Sequence, residues 1–216
     1  MEKANDKLKV VRDNLGHIAS VEPKVIDHDE NFPVKLKYDY FKKDGWGFKD
    51  TEIIFDLKKK EGFITGSRYS FSGSVLKEIY DFMIHEGEFD LEVPPVVPQS
   101  SMPVDPPYVN EAFLADIKGY YSRLSFDDDE RMLHSHGHTL REVYAIKHGK
   151  FERFADCVVF PGSHEHVERI VKAAVKHNVV LIPYGGGTNV TQALLLSPKE
   201  KRMIVSIDTA RVYLSV

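Results

Sequence analysis

Apolar positions recur at two different spacings along this chain. Thr51–Leu57 (TEIIFDL) reads as a short strand, Lys58–Glu61 as a charged, solvated loop, and Phe63–Tyr69 as the strand returning from it. Over Ser74–His85 the spacing becomes helical: Val75, Ile79, Phe82 and Met83 share a face, and Gly87 stops the run. Leu91–Pro107 carries six prolines in seventeen residues and reads as an extended connector. A second helix is expected over Val109–Tyr121, with Phe113, Leu114 and Ile117 on one face. Asp127-Asp128-Asp129-Glu130 then sets negative charge near a helix start, where the dipole favours it.

The ends of the chain contrast. Met1–Asn31 is polar and irregular, and is expected to be loosely ordered or marginally helical. Phe32–Asp50 alternates lysines with aromatics and closes in Asp44-Gly45-Trp46-Gly47-Phe48, a glycine-flanked turn expected to pack one large ring. Composition shifts near Phe151, and strand, helix and strand follow. Cys157–Phe160 is apolar and ended by Pro161-Gly162; Ser163 caps the next helix, with Glu165 in its first turn. Val167, Ile170, Val171, Ala174 and Val175 form the expected buried stripe, and Asn178 the C-cap. Val179–Ile182 and Met203–Ile207 are the next strands.

Bulk properties narrow the classes. The 216 residues suffice for one large domain or two small ones, and 42% hydrophobic with 29% charged residues is an ordinary globular balance. A net charge of -4 and a pI near 6.2 argue against nucleic acid as a partner. One cysteine, Cys157, excludes an intrachain disulfide and suits a reducing compartment. No run of 18 apolar residues would span a bilayer, and the charged N-terminus lacks a secretory signal's apolar stretch. No internal repeat is visible, and Leu214-Ser215-Val216 is not a Ser-Lys-Leu-type ending.

The segment with the most chemistry is Pro183-Tyr184-Gly185-Gly186-Gly187-Thr188-Asn189-Val190. Consecutive glycines can take positive φ and let the backbone touch a ligand, and successive free N–H groups make a nest for anionic oxygens. Thr188 and Asn189 add side-chain donors. The loop lacks the Gly-Lys-Ser/Thr ending of a P-loop and the Gly-x-Gly-x-x-Gly spacing of a Rossmann fingerprint. A phosphate site and a plain flexible turn both remain open at this point, as do a core and a ligand-facing position for Tyr184.

Other candidates read as structural. His134, His136 and His138 alternate and His164 and His166 form a pair, but no cysteine or carboxylate set is spaced to complete a metal site. Cys157 in an apolar strand is an inert thiol, Asp156 a capping acid, and Lys199-Glu200-Lys201-Arg202 a solvated turn.

Pro-x-Gly-Gly-Gly-Thr-x-Val after a strand resembles the pyrophosphate loop of the vanillyl-alcohol-oxidase-like FAD domain. Arg131, His136-Gly137-His138, Leu140 and Glu142 resemble the His-Gly-His stretch before the flavin domain of the alkylglycerone-phosphate synthases. Phe151-Glu152-Arg153 and Asp156 resemble that domain's first residues. Gly45-Trp46-Gly47, Gly66-Ser67-Arg68-Tyr69 with Ser72-Gly73, and Asn110-Glu111 with Phe113-Leu114 are similar to the family's N-terminal region. The resemblance runs from Gly45 to Asp208-Thr209 and implies an α+β fold. A polar segment (1–31) and a mixed helical, family-specific region (32–150) would precede an incomplete PCMH-type FAD-binding domain, its first β-α-β subdomain (151–216).

The family implies ether-lipid synthesis: the acyl chain of acyl-dihydroxyacetone phosphate is exchanged for a fatty alcohol, FAD acting as a covalent trap without net redox change. It further implies a peroxisomal homodimer peripheral to a membrane. FAD would be held by Pro183 to Val190. The family's catalytic Tyr and His residues fall outside the matched stretch, so the chain is expected to contain no catalytic residue and to resemble a truncated product, inactive alone. The alternatives are a non-catalytic form that associates with the complete enzyme or with membranes, and a fragment of another FAD-linked oxidase.

Overall fold

The computed structural model describes residues 41–93 and 103–209, together with the backbone of two strands near the N-terminus. The chain forms two compact units, one from residues 1–42 and 47–97, the other from 43–46 and 98–216.

In the first unit, β1 (Leu8–Arg12) and β2 (Ile18–Pro23) form an antiparallel hairpin, with Leu8 opposite Pro23, Val10 opposite Val21, and a register shift between Val11 and Arg12. This corrects the expectation of an irregular or helical start. Val10, Val11, Ile18 and Val21 are β-branched and suit a pleated surface better than a helix. A second sheet has the order β3 (Ile53–Asp56), β4 (Glu61–Ile64), β5 (Val75–Leu76), all antiparallel. At the β3–β4 turn Asp56 Oδ1 accepts the N–H groups of Lys58 and Lys59, both at 3.0 Å. The returning strand therefore starts earlier than expected, at Glu61, and ends at Ile64.

The helix expected from Ser74 begins only at Lys77 (α1, Lys77–His85), because Val75 and Leu76 pair with Phe63 and Gly62 of β4. Helix and strand approach closely at Gly62, where an added Cβ would collide with Ile79 Cγ2. The expected apolar face is not a buried one: none of the α1 residues is buried, and Val75 and Phe82 are 47% and 59% exposed.

The second unit is built on a four-stranded sheet of order β6 (Arg123–Ser125), β7 (Cys157–Phe160), β9 (Ile204–Asp208), β8 (Val180–Tyr184). β6 is antiparallel to β7; β9 is parallel to both β7 and β8. Every residue of β7 and β9 is buried, as expected of strands covered on both faces. Helix α2 (Glu111–Asp116) is shorter than expected; Asn110 caps it by accepting from Phe113 N–H at 3.0 Å. Helix α3 (Asp128–Leu133) starts as expected, capped by Asp127, and α4 (Leu140–Lys147) opens on a capping box formed by Thr139 and Glu142.

Helix α5 (His164–His177) connects β7 to β8. Ser163 caps it, and Asn178 closes it with left-handed φ 53°, ψ 47°. Its buried stripe differs from the expected one. Ile170, Ala173 and Ala174 face the core, whereas Val171 and Val175 are 43% and 80% exposed. The core proper joins Phe113, Ile117, Cys157, Val159, Ile170 and Val205.

Candidate functional site

The glycine loop leaves the C-terminal end of β8. Its first anchor is Tyr184, 4% exposed, whose carbonyl accepts from Thr209 N–H and Oγ1–H at 2.9 and 3.0 Å. The phenol lies inside the fold, its ring centroid 4.2 Å from that of His134. Burial, and then the Asp208 carboxylate, push its ionisation up. The side chain of Tyr184 thus closes the core. His134 is itself buried; its Nε2 lies 2.9 Å from Asp208 Oδ2 and its Nδ1 2.7 Å from the Glu130 carbonyl oxygen.

Beyond Tyr184 the chain opens to solvent. Gly185, Gly186 and Thr188 are exposed and Gly187 is buried. Of the three glycines only Gly187 has positive φ, +66°, so the left-handed turn sits at one position instead of being shared among them. At Gly185 an added Cβ would meet nothing within 4 Å, and at Gly186 only Thr188 Cγ2 at 3.6 Å. Neither backbone shape nor contact within the described residues calls for glycine at 185 and 186. Among the described residues, no acceptor takes the backbone N–H of Gly185, Gly186, Gly187, Thr188 or Asn189. Five consecutive unpaired donors beside two bare Cα positions make a surface suited to a polyanion.

The far end of the loop turns back on the protein. Asn189 Oδ1 accepts from Ala193 N–H at 3.1 Å, and Asn189 O from His138 N–H at 2.8 Å. The two oxygens of Asn189 thus tie the loop to the turn at Ala193 and to His138. Pro183 and Val190, at the margins, are exposed.

The second unit also holds a buried polar frame, whose Asp156 lies at the opposite end of the parallel strands from the loop. Asp156, fully buried, accepts from both Arg153 amino groups (2.9 and 2.7 Å), from Tyr108 N–H at 2.8 Å and from Ile204 N–H at 2.7 Å. The capping reading of Asp156 is thereby enlarged: it fastens the start of β7 to β9. Arg131, 1% exposed, donates to the carbonyls of Ala155 (2.8 Å) and Asp105 (2.7 Å) and to Asp128 (2.8 Å). His136 is buried, with Nε2 donating to Lys43 O at 3.1 Å. Trp46 is 47% exposed, not packed as a large ring in a turn; its Nε1–H donates to His138 O at 2.9 Å. Burial, and then His136, hold the His138 imidazole below its usual range.

The remaining candidates lie apart. His166 Nδ1 accepts from Gly162 N–H at 3.1 Å at the start of α5. Cys157 is inaccessible, and burial raises its thiol. Glu200 and Arg202 pair at 2.7 Å on an exposed turn. Among the described residues no three His, Cys, Asp or Glu side chains converge. A cavity of about 400 Å³ opens beside α4, with Arg141, Lys150, Phe151, Arg153, Gln192 and Leu195 in its wall. The glycines do not line it; Gly185 and Gly186 are exposed outside it.

Residues 155–215, the glycine loop among them, match the FAD binding domain family. Over 88% of its length the chain is 32% identical to the alkyldihydroxyacetonephosphate synthase of Caenorhabditis elegans, covering 32% of that protein. The chain is similar to the alkyldihydroxyacetonephosphate synthases. Over 81% of its length it is 34% identical to the synthase of Dictyostelium discoideum, of which it covers 30%. A solved alkyldihydroxyacetonephosphate synthase, in a P1 crystal form, superposes with a TM-score of 0.69 at 29% identity, covering 81% of this chain and 33% of that one. The chain thus spans about a third of the length of the synthases it matches. The mixed helix-and-strand architecture expected from sequence, with part of an FAD-binding domain, is the one found. Sequence reasoning names Gly137, Thr209, His134 and Asp208 but does not relate them to the loop; no spacing links them to it, and the fold makes those contacts.

Proposed function

We propose that the glycine loop holds the pyrophosphate of FAD through the backbone N–H groups of residues 185–189, as part of an ether-lipid synthase. The observation that carries this reading is the run of unpaired donors at Gly185–Asn189 beside two glycines that nothing in the described residues requires. Pro183, Tyr184 and Val190 shape the loop; Thr188, exposed, adds a hydroxyl donor. When bound, FAD supplies the flavin chemistry of the reaction. This chain's residues bind and orient it, and no described residue is given a catalytic role.

Similarity to the synthases supports acyl-dihydroxyacetone phosphate and a fatty alcohol as substrates. The same likeness is our ground for a homodimer working at a membrane surface, in the peroxisome.

Gly186→Val tests the loop. Its φ is not left-handed and its Cβ has room, so the variant should keep the fold and lose FAD. Flavin content with a wild-type circular-dichroism melt is the measurement; normal flavin content would refute the loop assignment.

A further inference from the structure

We infer that the His136-Gly137-His138 turn is a latch that sets the position of the glycine loop, and that FAD affinity depends on it; this rests on the pyrophosphate reading above. The near end of the loop is tied to the sheet through Tyr184 O and Thr209. The far end is set by the latch. His138 N–H donates to Asn189 O at 2.8 Å. At Gly137 a Cβ would lie 2.5 Å from Asn189 O, and 2.7 and 2.8 Å from the Oδ1 and Nδ2 of the same residue. Gly137 does not have a left-handed φ, so close approach alone excludes a side chain there. Any larger residue would push Asn189, and with it Thr188 and Gly187, away from their present places.

The latch is stiff enough to do this. Gly137 N–H donates to Glu142 Oε1 at 2.9 Å, and Glu142, 2% exposed, is locked in the capping box with Thr139. Ser135 Oγ accepts from Ala155 N–H at 2.7 Å, just before β7. Lys43 O and Trp46 Nε1 engage His136 and His138 on either side of Gly137. A nest of backbone donors binds well only when its geometry is held within a fraction of an ångström. Gly137 is in this sense a positioning residue, acting through Asn189.

The 216-residue chain, titrated with FAD and with inorganic pyrophosphate, tests the latch. Gly137→Ala should weaken both ligands by about tenfold or more, the effect of some 1.4 kcal/mol of displacement. Amide exchange of the unliganded chain is a second readout: His138 and Ala193 should exchange at least about tenfold faster, while Val205 and Ile207 stay protected. Wild-type affinity and exchange in Gly137→Ala, with FAD lost in Gly186→Val, would overturn the latch and leave the loop reading standing. FAD binding unchanged in both variants would overturn both. If the chain takes up neither ligand, exchange decides: faster exchange at His138 and Ala193 sustains the latch and wild-type exchange overturns it. Should Gly137→Ala fail to fold, Glu142→Gln, which weakens the hold on Gly137 N–H, carries the same comparison, read at His138 and Ala193.

Discussion

The hydroxyl of Tyr184 lies 2.5 Å from where a Cβ on Gly187 would stand. Glycine is therefore required twice at this position, by the hydroxyl and by φ of +66°. Gly187→Ala should cost roughly 1–2 kcal/mol from the backbone alone, with the contact adding to it. Tyr184→Phe removes the hydroxyl and should return part of the loss. Urea midpoints of the two single variants and the double variant measure the coupling. Strict additivity would mean that the two residues do not compete for the same space.

Asp156 makes the second prediction. Its carboxylate is fully buried and its charge is met by Arg153, 8% exposed. Arg153→Met should strand that charge and destabilise the unit by about 3–5 kcal/mol. Asp156→Asn should do similar harm, since Arg153 then lies buried without its partner. A midpoint shift of less than about 1 kcal/mol in either variant, against that expectation, would show the clamp to be ornamental.

Asp116 gives a pH dependence. Hydrogen bonds from Lys176 (2.8 Å) and His177 (3.0 Å), with Arg169 beside them, tie α2 to α5 and lower its pKa from 3.8 to about 2. The folded value lies below the unfolded one, so the stabilisation is complete above pH 3.8 and is lost as pH falls towards 2. Wild type should exceed Asp116→Asn in stability at pH 6, and the gap should shrink between those two values. A gap that persists unchanged at pH 2 would contradict the assignment.

What the sequence made legible was local. Ser163 and Asn178 mark the ends of α5 because caps act through neighbouring residues, and the triple glycine announces itself by composition. Phase and pairing were less visible. Val171 and Val175 are more apolar than Ala173, yet the face packed in the core takes Ala173 and Ala174, where small side chains let the helix approach. Val75 fits a helical stripe and Leu76 falls within the expected helix, but β4 offered them backbone partners first. β6 is three residues long and carries no periodicity to read. The dependence of the loop on Gly137 is a matter of tertiary proximity, which no local pattern encodes.

The position of β9 bears on how the protein is made. It is the last of the described strands in the chain and sits between β7 and β8. On the ribosome, β7, α5 and β8 are synthesised before the strand that joins them exists. Until Ile204–Asp208 emerges, one side of β7 and one side of β8 lack their native neighbour, open to pairing with other chains. The glycine loop, mounted between β8 and β9, can be shaped only after that late arrival.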